Sequence, residues 1–281
     1  MKKISIVIAT YNFGNYLERA IQSVLSQDSD EYELIIVDGG SSDNSVDVIR
    51  KYEGRLAWWC SEHDSGQSEA FNKGFQHSTG EFLTWLNADD LLLPGTVSAV
   101  VKALAREPRA DWATGNLIRF DQHTKKIIEA AWGPHWVPFV FQGNGFPLSI
   151  FGPTTFWRRK VYEEIGPLNE KYHYTMDSDY WRRLTVSGKK LIRVNHDCWA
   201  FRMHEQSKTA EFGSHFRSRE RKELMHKETE ESAAVTGYYV TKCGAIVRSI
   251  MRIFDGSYFK HLWRRFFWVG RNIEQCYGVQ I

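Results

Sequence analysis

The apolar run Phe82-Leu83-Thr84-Trp85-Leu86 stops at Asn87-Ala88-Asp89-Asp90, so two carboxylates stand side by side where a buried strand ends. Adjacent like charges are costly unless a cation or its ligands share the place. A divalent ion carrying a diphosphate would satisfy both acids, and open α/β sheets bind ligands at this edge. Taken alone, a solvated acidic turn explains the pair equally well. Two more apolar runs end in polar residues. Ile4 to Ala9 leads into Thr10-Tyr11-Asn12, and Leu34 to Val37 leads into Asp38-Gly39-Gly40. Convergence of such ends on one edge is what a nucleotide site requires. Tyr11 can pack on a base, and Asp38 can accept a hydrogen bond from a base N–H or a ribose hydroxyl. A helix cap or turn explains an isolated Asp38 as well.

These ends need strands that alternate with helices. Residues 4–9 are rich in β-branched side chains and read as a buried parallel strand. Asn15 and Glu18 have capping-box spacing, and Leu17, Ala20, Ile21, Val24 and Leu25 share one helical face. A second strand covers 34–37, a short helix follows Asp43, and a third strand covers 56–59. A helix from about Gln67 to Ser78 is stopped by Gly80, before a fourth strand over 81–86. This alternation implies a doubly wound, mostly parallel sheet with flanking helices, an α/β fold. Beyond it come a helix over 95–106, a hairpin of strands 112–121 and 125–131, and an aperiodic stretch over 132–153. A loop that long is usually functional. Helical patterns resume at 158–165 and 177–186, and short strands are expected over 191–194 and 198–202.

Composition narrows the function. The 281 residues carry a net charge of +2, so bulk electrostatics do not suggest nucleic acid. Four dispersed cysteines form no CxxC pair, which argues against zinc and against a disulfide framework. Reduced thiols suit a cytoplasmic setting. Neither a signal peptide nor a spanning-length apolar run is recognisable. The first strand is not followed by G-x-G-x-x-G and there is no Walker A sequence, which disfavours dinucleotide folds and ordinary NTPases.

Four segments in order carry a family resemblance. They are Ser5-Ile6-Val7-Ile8-Ala9-Thr10-Tyr11-Asn12, Ile35-Ile36-Val37-Asp38-Gly39-Gly40-Ser41-Ser42-Asp43, Ser65-Gly66-Gln67-Ser68-Glu69-Ala70-Phe71-Asn72-Lys73-Gly74 and Asn87-Ala88-Asp89-Asp90. Together they resemble the family 2 glycosyltransferases of GT-A fold, in a subgroup used in bacterial surface-polysaccharide assembly, over roughly residues 1–205. The resemblance implies that Ala9, Tyr11 and Asp38 hold the base and ribose of a nucleotide-diphospho-sugar, with a UDP-sugar the expected donor. Asp89 would sit near the ribose and donor sugar, and Asp90 would ligate Mg²⁺ or Mn²⁺. Asp64, Gln67 and Asn72 are donor-side candidates. Many relatives carry Arg where this chain has Phe71, so the arginine contact that the resemblance would imply is missing at that position. Met176-Asp177-Ser178-Asp179-Tyr180-Trp181 is similar to the family's acid-aspartate motif, with Met176 in place of the usual acid. Asp177 matches the general base, although Asp179 also lies near the helix start, and capping accounts for one of the two. His204 is a second candidate metal ligand. Phe156 and Trp157 are expected to border the acceptor cleft unless Trp157 is core.

The expected enzyme is an inverting hexosyl- or N-acetylhexosaminyltransferase acting on a saccharide or lipid-linked saccharide. The rival readings are a nucleotidyltransferase and a non-catalytic sugar- or nucleotide-binding module. Residues 1–210 would form the catalytic domain, with 1–120 the nucleotide-sugar half and 121–210 the acceptor half. Residues 211–281 would form a helical C-terminal appendage. Within it, residues 215–231 read as a solvated charged helix. Residues 242–271 interleave Lys and Arg with Trp, Phe and Ile, which suits either peripheral association with the inner face of the cytoplasmic membrane or packing on this domain or a second subunit of a homo-oligomer.

Overall fold

The computed structural model describes residues 3–131, 152–207, 226–232, 234 and 257–281. The expected functional loop over 132–153 lies outside them except for its last two residues, as do residues 215–225 and 242–256 of the tail.

Four parallel strands open the fold: β1 (Ile4–Thr10), β2 (Tyr32–Asp38), β3 (Trp58–Ser61) and β4 (Phe82–Asn87), in spatial order β3-β2-β1-β4. Every residue of β1 and β2 is buried, as expected of strands covered on both faces. Alternation sends Ile4, Ile6 and Ile8 toward helix α1 (Gly14–Leu25), where they pack with Leu17, Ile21 and Val24. Val7, Ile35 and Val37 face the other side and pack with Phe71 and Phe75 of helix α3 (Gln67–Gln76). A Cβ on Gly74 would lie 2.3 Å from Val7 Cγ1, so only glycine lets α3 approach β1 this closely.

The register levels the strand ends. Ala9 pairs with both Val37 and Asn87, and Thr10 pairs with Asp38. The loops beyond are tied to one another. Asn12, in a left-handed conformation (φ 57°), donates its N–H to Ser41 Oγ and accepts from Ser42 N. Asp43 accepts from Gly14 N at 2.9 Å and from Ser45 N at 2.9 Å, so one carboxylate caps α1 and also helix α2 (Ser45–Tyr52). The capping box expected at Asn15 and Glu18 is therefore replaced: α1 begins at Gly14 and takes its acceptor from a distant loop.

The sheet continues through β5 (Leu91–Leu92), β6 (Trp112–Asp121), β7 (Ile127–Ala131), β8 (Thr155–Arg158) and β9 (Leu191–Met203), with helix α4 (Thr96–Arg106) between β5 and β6. The order across the sheet is β3-β2-β1-β4-β8-β6-β9-β5, and β7 joins β6. β8 runs antiparallel to β4, and β9 runs parallel to β6. Two short strands were expected where β9 is continuous. Its register with β6 shifts around Asn116, and there Asp197 accepts from Asn116 Nδ2 at 3.0 Å and from Tyr277 Oη at 2.7 Å. These bonds keep the polar residues 195–197 in the sheet. Helices α5 (Arg159–Ile165) and α6 (Met176–Val186) cover the α3 side, where Phe75, Trp157 and Tyr180 meet.

The end of the chain is not detached. Helices α7 (Ser257–Trp268) and α8 (Ile273–Tyr277) close a third core in which Ile127, Phe120 and Ile273 are fully buried. Arg264 forms an ion pair with Asp197. Residues 270–272 pair along β7: Gly270 N donates to Ile127 O, and Ile127 N donates to Arg271 O.

Candidate functional site

The levelled ends of β1 and β4 open into a cleft of about 360 Å³. Ala9, Thr10 and Tyr11 form one wall, Asp64, Gly66 and Gln67 the mouth of α3, and Asn87, Ala88 and Asp89 the floor. Met176 and Asp177 close it from α6, while Trp199 and Phe201 reach it from β9. The expected residues Ala9, Tyr11, Asp64, Gln67, Asp89 and Asp177 are thus brought together. Tyr11 is 58% exposed and free to cover a planar ligand. Thr10 offers a buried Oγ1 that has no hydrogen-bond partner among the described residues. Asp64 Oδ1 accepts from Gly66 N at 2.9 Å, and burial pushes its carboxyl above the usual range. A Cβ on Gly39 would fall 2.7 Å from Asp64 Oδ2, so this glycine makes room for the carboxylate.

The two central acids part company. Asp89 lines the cleft, and its Oδ2 lies 2.9 Å from His204 Nε2. Asp90 is 0% exposed. Its Oδ1 accepts from Arg202 N at 2.9 Å and its Oδ2 from Asn87 Nδ2 at 2.8 Å. Burial, and after it the Asp89 charge, push the Asp90 carboxyl well up. The expectation that Asp90 holds a metal is therefore corrected: it lies beneath the floor with both oxygens engaged and shapes the turn that presents Asp89. Gln67 Nε2 donates to Asn87 Oδ1 at 2.7 Å and extends the same network to α3. Arg202, 1% exposed, completes it by donating from Nε to Asp89 O at 2.7 Å, with its guanidinium over the rings of Tyr16 and Phe120.

Asp89 and His204 converge as one carboxylate and one imidazole. Among the described residues no group of three or more His, Cys, Asp and Glu forms a metal cage. His204, 5% exposed, stands behind Asp89 and outside the cleft lining, so it would join Asp89 on a divalent ion only by giving up the Nε2–Oδ2 bond, the other ligands coming from phosphate oxygens and water. The His204 ring is held against Tyr16, centroids 4.5 Å apart.

Three other expectations change. Asp38 is fully buried and turned into its own loop, accepting from Ser41 N at 3.0 Å and from Ser61 Oγ at 2.6 Å. Asn72 is 3% exposed and staples α3 to the segment after α5. It donates to Leu168 O and accepts from Leu168 N, both at 2.9 Å, and also accepts from Tyr162 Oη. Neither side chain reaches the cleft wall. Phe156 and Trp157 are core, at 1% and 0% exposed. Phe71 is fully buried as well, so its position offers no contact to a donor.

The α6 acids also separate. Asp179 is 3% exposed, bonded to Arg183 Nε at 2.9 Å and to Ser232 Oγ. Asp177 is half-buried on the cleft wall, its Oδ1 accepts from Ser178 N, and burial raises its pKa. A carboxylate with a raised pKa is the better proton acceptor. Sequence reasoning missed what holds it. Glu228, 3% exposed, accepts from the backbone N–H groups of His173, Tyr174 and Thr175 at 2.9, 3.0 and 3.2 Å, and from Thr175 Oγ1. It lies in a run of Lys and Glu that reads as solvated, and nothing in that pattern marks it. The cleft residues Trp199 and Phe201 were likewise read only as strand.

A mostly parallel sheet with a cleft at its carboxyl edge and a carboxylate on each side of that cleft is the architecture of a GT-A fold. The chain belongs to glycosyl transferase family 2, whose model matches residues 5–166. An uncharacterized glycosyltransferase of Nostoc sp. is 42% identical over 178 residues, which is 59% of this chain and 54% of that protein's length. A PGL/p-HBAD biosynthesis glycosyltransferase of Mycobacterium bovis is 29% identical over 196 residues, covering 68% of this chain and 73% of the relative. The mannosyltransferase PcManGT of Pyrobaculum calidifontis, solved with GDP-Man and Mn²⁺, superposes with a TM-score of 0.56 at 17% identity, over 90% of this chain and 80% of that one.

Proposed function

We propose that the chain transfers a hexosyl or N-acetylhexosaminyl group from a nucleotide-diphospho-sugar to a hydroxyl of a saccharide or lipid-linked saccharide, with inversion, in surface-polysaccharide assembly. The observation that carries this reading is that Asp89 and Asp177, from opposite halves of the fold, line one cleft. Ala9, Thr10, Tyr11 and Asp64 surround the space for the nucleoside, which the resemblance assigns to UDP. Asp89 and His204 would hold Mg²⁺ or Mn²⁺, consistent with the Mn²⁺ bound beside GDP-Man in PcManGT. When bound, the ion supplies positive charge that stabilises the departing diphosphate.

The acceptor enters on the side of Tyr174, Trp199 and Phe201, whose apolar surfaces suit the faces of sugar rings. Asp177 accepts the proton of the attacking hydroxyl. The hydroxyl oxygen bonds to the anomeric carbon on the face opposite the leaving group, the bond to the diphosphate oxygen breaks, and the nucleoside diphosphate departs. The catalytic residues lie within 1–210, with donor and acceptor halves meeting near residue 120, and this unit is braced by Glu228 and by the core that α7 and α8 close.

Asp177→Asn tests the reading. An amide cannot accept the proton, so transfer should fall on the order of 10²–10⁴-fold while donor affinity is retained. Normal transfer by Asp177→Asn together with inactive Asp179→Asn moves the base to Asp179. Full activity in both variants removes the base from α6 altogether. A wild-type chain that binds nucleotide sugars yet neither transfers nor hydrolyses them is the non-catalytic module instead.

A further inference from the structure

Helix α7 lies on the protein the wrong way round. A surface helix buries its apolar stripe and shows its charges to water. In α7, Leu262, Trp263 and Phe266 are 44%, 59% and 83% exposed. Phe267 and Val269 flank them and are also exposed. The side turned to the protein carries Arg264, which is 6% exposed and paired with Asp197, and Trp268, which stacks on Tyr277 with centroids 5.3 Å apart. These inward anchors fix the orientation, so the aromatic face is displayed by construction.

The charged residues within the helix and just beyond it are all basic. Arg265 and Arg271 are exposed at its margins. Across residues 242–271 the sequence holds seven Lys and Arg against one acid, Asp255. Exposed rings bordered by arginine are complementary to a surface that is apolar beneath a layer of negative charge. Two copies meeting face to face would instead bring the basic margins together. Among the described residues no helix is long and apolar enough to cross a membrane.

We propose that this face of α7 is a docking surface for an anionic lipid bilayer. The helix lies in the plane of the interface, with Leu262, Trp263 and Phe266 at the acyl boundary and Arg265 and Arg271 against lipid phosphates. Because α7 is packed onto the sheet, the catalytic domain is held at the membrane rather than tethered near it. The inference is independent of the chemistry assigned to the cleft.

The test uses the full chain with vesicles of phosphatidylcholine alone and with about a third phosphatidylglycerol. The chain should sediment with the anionic vesicles only, and release as salt rises from about 0.05 M to about 0.5 M, where the Debye length shortens severalfold. Trp263→Glu with Phe266→Glu should weaken this association on the order of tenfold or more, with the thermal midpoint and donor binding unchanged. Arg265→Glu should weaken it less and reduce its salt sensitivity. Failure of the wild type to bind anionic vesicles at low salt overturns the proposal. So does self-association that the double variant abolishes, which assigns the face to a second copy. A lowered thermal midpoint in the double variant, with vesicle binding intact, assigns it to packing within the chain.

Discussion

Glu228→Ala removes the acceptor that gathers the chain just before α6. Four donors converge on this carboxylate, three of them backbone N–H groups. A buried donor left without a partner costs about 1–3 kcal/mol. Water will re-solvate some of the four, so a net loss of roughly 3–5 kcal/mol is expected. At about 2–4 °C per kcal/mol, the thermal midpoint should drop by on the order of 10 °C. The catalytic consequence is separable. Asp177 stands two residues beyond Thr175, and a displacement near 1 Å can cost about 10²-fold in rate. The donor-side residues Ala9, Tyr11, Asp64 and Asp89 sit on other elements. Below the new midpoint, the transfer rate should therefore fall about 100-fold while donor affinity holds. Calorimetry, donor titration and initial rates on one preparation give the three numbers. A lower midpoint with an unchanged transfer rate would show that the carboxylate only stabilises the fold and does not position Asp177. Equal losses in donor affinity and rate would show that the damage spreads through the whole cleft.

Other outcomes follow from neighbouring groups. Asp89→Ala should abolish divalent-dependent donor binding without unfolding the protein, whereas Asp90→Ala should lower the midpoint by leaving Arg202 N and Asn87 Nδ2 unpaired, at about 1–3 kcal/mol each; donor titration with and without chelator, beside calorimetry, separates them. Burial raises the Asp177 pKa, and a base must be ionised, so the acid limb of kcat/KM should lie above the ordinary carboxylate range and vanish with the residual activity of Asp177→Asn. For Asp43, burial alone would raise the carboxyl, but bonds from Ser45 and Gly14 outweigh it and hold it low. Its contribution is therefore present above the unfolded-state pKa and lost as pH falls through the lower folded-state value. Asp43→Ala should cost about 1–2 kcal/mol near neutral pH and less in acid, as denaturant titrations will show.

The residues show how far sequence reading reaches. The strand ends were legible because fully buried parallel strands are written as unbroken apolar runs, and their polar terminators fall level once the strands pair. Which of Asp89 and Asp90 faces the cleft was not legible. They are neighbours, and the choice is set by Arg202, more than a hundred positions away, whose N–H claims Asp90. Asn72 fits the motif of a donor-binding residue, yet its amide is consumed by Leu168 on a segment that no local pattern links to α3. The break expected in β9 came from Asn195-His196-Asp197, polar residues that a strand retains only because Asn116, Arg264 and Tyr277 meet Asp197. Periodicity records which face a residue occupies, whereas partners distant in sequence decide which polar groups remain available for chemistry.

The pairing of residues 270–272 with β7 bears on assembly. β6 takes one side of β7, and without Gly270 and Arg271 the other side would present a row of open N–H and C=O groups. Such a row is a template on which a foreign strand can add. The final residues act as a selvedge that finishes the sheet where it would otherwise fray into its neighbours. A chain cut before α7 loses this border together with the buried Ile273. Its failure should take the form of strand-mediated aggregation that grows with protein concentration.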